Sequence, residues 1–338
     1  MIHSPRTATA VELLTRPSSS SSFKALSISA AYPPLDKGKA VGKPWADGPW
    51  PLIETPSRTQ RIAHPALHIA NELAHTHNAM LRGLNVLYLQ APYVHQEADI
   101  ADLLFLAQVW SGWILDHHVL KENAMLPGFE VALSLAPGSL TSTTRLGVES
   151  EEDDVREKAD KSLDLLLQHV HSYATETLSQ PSTYSPSTLQ TLLLVLASSL
   201  VPHLHAQIPL LVQMRDLCTP SSSTPSSSHS SPTPSPPSST HRSHSLSEAD
   251  RSNRLTQIHL TSEAALNAKM DRFAVPPMLV RLRDATFAGS GDAAAWPQLS
   301  VPALHAIADR LSPRHAGSWR FLPCDVWGRP RELEFLGE

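Results

Sequence analysis

His118 and Glu122, four residues apart in WILDHHVLKENAMLPGFE (113–130), are the pair in this chain best placed to do chemistry. On a helix that spacing sends an imidazole and a carboxylate from the same face, one turn apart. Nitrogen and carboxylate oxygen together suit a metal such as iron held between packed helices. His77, in AHTHNAMLRGLN, and His203, in LVPHLHAQIPLL, offer two further imidazoles on separate apolar stretches. Each also reads as a core histidine, hydrogen-bonded to Glu122 or Gln207. His117 points about 100° away from His118 on a helix and reads as supporting or surface. His75 and His205 fall off their stripes in the same way. The chain has 18 histidines, and His229, His241 and His244 lie in a Ser/Pro-rich tract, so placement must carry the argument.

Four amphipathic helices are needed to position those groups. The first is predicted over 62–91, with Ile69, Leu73, His77, Met80, Leu84 and Leu87 inward at 4-4-3-4-3 spacing. The second is predicted over 97–125, with Leu104, Ala107, Ser111, Leu115, His118 and Glu122 inward and Pro127-Gly128 as its stop. A connection over 130–150 leads to the third, 152–178, which opens on an acidic run favourable at a helix N-terminus. Its stripe is Val155, Ala159, Leu163, Leu166, Val170 and Tyr173. The fourth, 186–216, carries Leu189, Leu192, Leu196, Leu200, His203, Gln207 and Leu210, with Pro202 and Pro209 expected to bend or split it. Helices of this length, one long connection and no strand pattern predict an all-α four-helix bundle.

Outside that unit, residues 1–42 read as disordered, and 43–61 as a Pro/Trp-rich ordered loop leading into the bundle (43–218). Residues 219–247 are almost entirely Ser, Pro, Thr and His and read as a disordered insertion, with Ser231-Pro232, Thr233-Pro234 and Ser235-Pro236 as candidate phosphosites. The remainder, 248–338, predicts a fifth helix at 248–269, then an extended wrap with a short helix at 301–311. Arg320, Asp325 and Arg329 read there as ion pairs pinning the wrap rather than as a catalytic cluster.

Of 338 residues 41% are apolar, enough for a core, and the net charge of −5 gives no field for nucleic acid or an anionic membrane. No stretch reads as a membrane span. Cys218 and Cys324 make neither a disulfide framework nor a thiolate metal site and fit a reducing, cytoplasmic setting. The Ser-rich N-terminus, with Arg6, Arg16 and Lys24, gives a mitochondrial presequence as the alternative.

With HNAMLRGLN, YLQAPYV, DHHVLKEN and the strings FAVPPMLV and SWRFLPCDVWGRPREL nearer the C-terminus, the chain resembles the fungal type of hemerythrin-like (HHE cation-binding) domain protein over about 43–338. The resemblance implies an antiparallel four-helix bundle around a non-haem iron centre, with dioxygen as a partner. It implies one His on the first helix (His77), His-x3-Glu on the second (His118, Glu122), a His pair on the third, and His then an acid on the fourth (His203). The chain departs from that pattern twice. Arg156 and Asp160 stand where the His pair belongs, and Gln207 stands where the acid belongs. His169 and His171 fall two to three turns beyond that level. The expectation is therefore a degenerate site of His77, His118, Glu122 and His203, with Asp160 and Gln207 as further candidates, holding at most about one iron. Its function would be iron or oxygen binding or sensing. The alternative is a metal-free structural or regulatory module descended from the same fold, and an oxidase is the weakest reading because two irons need more ligands.

Overall fold

The computed structural model describes residues 47–140, 153–218, 246–287 and 296–336, with side chains omitted over 153–162. The expected disorder of 1–42 and of most of 219–247, and the side chains of Arg156 and Asp160, lie outside the described residues. The protein is all-α, and among the described residues the only β feature is an isolated bridge between Cys324 and Pro330.

The helices are α1 (Pro56–Thr59), α2 (Pro65–Gln90), α3 (Glu97–Leu120), α4 (Leu126–Leu133), α5 (Asp153–Ser179), α6 (Pro186–Cys218), α7 (Glu248–Lys269), α8 (Val275–Leu282) and α9 (Val301–Ala306). The long helices follow the sequence stripes because those stripes bury apolar surface: Ile69, Leu73, His77, Met80, Leu84 and Leu87 are all in the core. On α5 the buried line is Leu163, Leu167, Val170 and Ala174, with Leu166 and Tyr173 at its edge. Helix α2 packs chiefly on α6, and α3 on α5, while α5 also meets α6 and α2 meets α3. Close approach of α2 and α3 depends on Gly83, where a Cβ would overlap the Trp110 indole. That indole donates to the Met80 carbonyl at 3.1 Å.

Three expectations are corrected. Pro127-Gly128 does not end the second helix: the chain continues through a π-wound turn, Lys121–Met125, into α4. A proline in the first turn of α4 lacks only an N–H that has no partner there, and Ser134, at φ 59°, makes the actual stop. The connection therefore begins after Leu133. Pro202 and Pro209 do not split α6, since both are exposed on its outer side, where water can take the carbonyls they release. The wrap is also less extended than expected, because Val275–Leu282 is helical, started by Pro276 and Pro277. The helix at 301–311 is present as α9 followed by a second π turn, Ile307–Leu311.

The wrap is tied down by polar contacts. Arg320 pairs with Asp99 of α3, with Asp102 at 3.5 Å and with Glu334 at 2.9 Å. Gln90 donates to the Phe321 carbonyl at 2.8 Å. Trp319 and Phe321 are buried, and Trp327 partly so, beside Val280, Leu304 and Ile307. Asp325 accepts instead from the Trp327 and Arg329 backbone N–H groups, so it shapes the turn rather than joining Arg320. The helices Glu97–Leu133 and Pro186–Cys218 are long and apolar enough to cross a membrane by length and composition, which the sequence reading did not anticipate. Here their apolar sides pack against α5 and α2.

Candidate functional site at the helix centre

The end of α3, the π turn and the middle of α6 bring His118, Glu122, His203 and Gln207 together. One ligand atom from each of His118, Glu122 and His203 falls within 4.8 Å of the others, so the three could hold one ion. His118 Nδ1 lies 4.0 Å and His203 Nε2 3.7 Å from Glu122 Oε1, and the two rings meet edge to face at 4.9 Å.

Lys121 stands in this group and was not foreseen. Lys121 and Glu122 come three and four residues after His118, so both share its helix face where the π turn Lys121–Met125 begins. The Lys121 side chain is 2% exposed. Its ammonium donates to Gln207 Oε1 at 2.6 Å and lies 3.2 Å from His203 Nε2 and 3.6 Å from Glu122 Oε1. Gln207 Nε2 in turn donates to Glu122 Oε1 at 2.9 Å and lies 3.1 Å from His203 Nε2. The glutamine that replaces an acid therefore faces the ammonium with its oxygen and the carboxylate with its nitrogen.

His77 is not part of the cluster. It is fully buried, its Nδ1 is 3.1 Å from the Leu204 carbonyl, and its Nε2 has no partner among the described residues. Its neighbour is His117, centroid to centroid 6.3 Å, which is buried rather than surface and also has an unpartnered Nε2. His75 is buried too and stacks on Trp296, whereas His205 bonds the Pro51 carbonyl from the half-exposed side. His171 bonds the Gln108 carbonyl away from the centre. Asp164, one turn past Asp160, has an oxygen 3.5 Å from His118 Nε2. It was overlooked, although its i+4 relation to Asp160 puts the two on one helix face.

Electrostatically the centre belongs to one cation. Burial, and then the Lys121 charge, push His118 down to about 3 and hold His77, His117 and His203 well below the usual imidazole range. All four are neutral at pH 7. A two-metal centre does not fit this donor set, and a single ion fits only if the ammonium leaves.

No family model matches the chain, and no solved structure does. The protein named dimeric xanthone biosynthesis cluster protein R11, from Cryptosporiopsis sp. (strain 8999), is 25% identical over 299 residues, which span 88% of this chain and 95% of that one.

Proposed function

We propose that the chain is a hemerythrin-like protein in which α2, α3–α4, α5 and α6 form an antiparallel four-helix bundle, and whose centre is held by the Lys121 ammonium in place of iron. The observation that carries this reading is the contact set of Lys121 with Gln207, His203 and Glu122. An ammonium there neutralises the carboxylate, and the amide satisfies both, so a cation is retained without a metal. The protein is then a metal-independent binding module. The name of its xanthone-cluster relative suggests small-molecule biosynthesis as the setting.

The second reading is a mononuclear iron site for binding or sensing iron or dioxygen. It is favoured by the convergence of His118, Glu122 and His203, because two imidazoles and one carboxylate suit non-haem Fe(II). Metal analysis after anaerobic ferrous loading separates the two. The first reading expects far less than one iron per chain, and Lys121→Ala to gain metal. Stoichiometric iron in the natural chain, lost on Glu122→Ala, would establish the second reading and remove the first.

A further inference from the structure

A cavity of about 470 Å³ lies between α2, α3, α7, α8 and the segment from Trp296 to Leu299. Its walls are largely apolar, with Leu73, Trp113, Met270, Leu279 and Trp296 among them. That volume and lining suit a small organic ligand. Trp296 is braced by stacking on His75, with ring centroids 6.1 Å apart at 17°.

One polar pair is built into the wall. His259 of α7 is 6% exposed, and its Nε2 lies 2.8 Å from Glu72 Oε2 of α2. The other oxygen of Glu72 accepts from Gln298 Nε2 at 2.9 Å, so the carboxylate is oriented from both sides. The remaining ring nitrogen, His259 Nδ1, is buried and has no partner among the described residues. A buried polar nitrogen fixed by a carboxylate and left unpaired is costly unless something meets it. Burial opposes charge on His259, but the bond to Glu72 and the charges of Glu263 and Glu72 outweigh it and raise the imidazole above its usual value. With Nε2–H committed to Glu72, Nδ1 accepts when the ring is neutral and donates when it is protonated, and a phenolic hydroxyl meets it in either state.

We propose that this cavity is a binding site for a planar aromatic molecule bearing a phenolic hydroxyl, with the rings against Trp113 and Trp296 and the hydroxyl on His259 Nδ1. Apolar walls with one oriented ring nitrogen select for a flat molecule with a hydroxyl at one edge, because a ring without one would leave the nitrogen unmet. The site stands whether or not the helix centre holds a metal.

The test is titration of the full chain with 2-naphthol and with naphthalene, followed by tryptophan fluorescence and calorimetry. Saturable one-to-one binding of 2-naphthol is expected, tighter than that of naphthalene by tenfold or more. His259→Phe, which keeps a ring but no nitrogen, should remove that preference and leave naphthalene binding within twofold. Ala264→Trp, at an exposed position of the lining, should abolish binding of both while leaving the melting temperature in place. Non-saturable binding, or a preference for 2-naphthol that survives His259→Phe in a folded protein, would overturn the proposal.

Discussion

Helix α2 buries polar side chains on two faces and treats them in opposite ways. On one face Asn71, Asn78 and Asn85, seven residues apart, each hold the backbone of the segment before α2. Asn78 accepts from Ile53 N at 2.7 Å and donates to Ile53 O at 2.9 Å. Asn85 does the same with Trp50 at 3.0 and 2.9 Å, and Asn71 accepts from Ser57 N at 3.0 Å. On the other face His77 has one nitrogen bonded and one without a partner, beside His117 in the same condition. The asparagines are neutral at any pH and their bonds close. The histidines are kept neutral by burial and by a neighbouring ammonium, an arrangement that conditions can break. The contrast separates an interior that fixes the chain from one that can respond.

Acidification should break the comparison most strongly. His75, at about 4, and His118, at about 3, titrate below the unfolded value near 6.5, and His77, His117 and His203 lie well below it as well. Stability from these groups is whole above 6.5 and is lost as pH falls from there toward the folded values. Each costs about 1.4 kcal/mol per pH unit in that window. Urea midpoints at pH 7.5, 6.5 and 5.5 should fall with increasing steepness, and equal midpoints would mean the imidazoles are not held neutral. His259 runs the other way, since its raised value lends stability below 6.5 that fades as pH rises.

Next in size is Lys121→Ala, which leaves Glu122 facing two neutral imidazoles and should cost about 3–5 kcal/mol, part of it restored by a divalent metal. A loss under 1 kcal/mol, measured by chemical denaturation at pH 7.5, would mean the ammonium contributes little. Asn78→Leu sharpens the other side. It strands the N–H and C=O of Ile53 and should cost about 2–4 kcal/mol, with a pH dependence superimposable on that of the natural chain.

The extents of α2, α5 and α6 were legible in sequence because apolar period and burial agree along them, whereas the end of the helix begun by α3 was not. His118, Glu122 and His203 were legible for the same reason. Lys121, three residues after His118 and seven after buried Ile114, falls on that same face, but an ammonium is not a metal ligand and a count of ligand types passes over it. His77 sits on the right stripe, but its Nδ1 is taken by the Leu204 carbonyl, which no side-chain pattern reveals. The helix Val275–Leu282 was hidden by two prolines that belong to a first turn. The asparagine repeat was visible as spacing and passed over because its partners are backbone atoms. The pair Glu72 and His259 lies 187 residues apart, and only the docking of α7 on α2 joins it.

The π turn at Lys121–Met125 also sets a phase. Upstream of it the continuous helix faces α5, and downstream, where Gly128 comes against Ile258, it meets α7. A straight α-helix of the same length would be out of step with one of those two neighbours by roughly the 100° that one residue sweeps. Removing a single residue, exposed Asn123 for instance, would reset that phase and rotate α4 against α7, so the shape of the cavity that α7 walls depends on a one-residue insertion in a different helix.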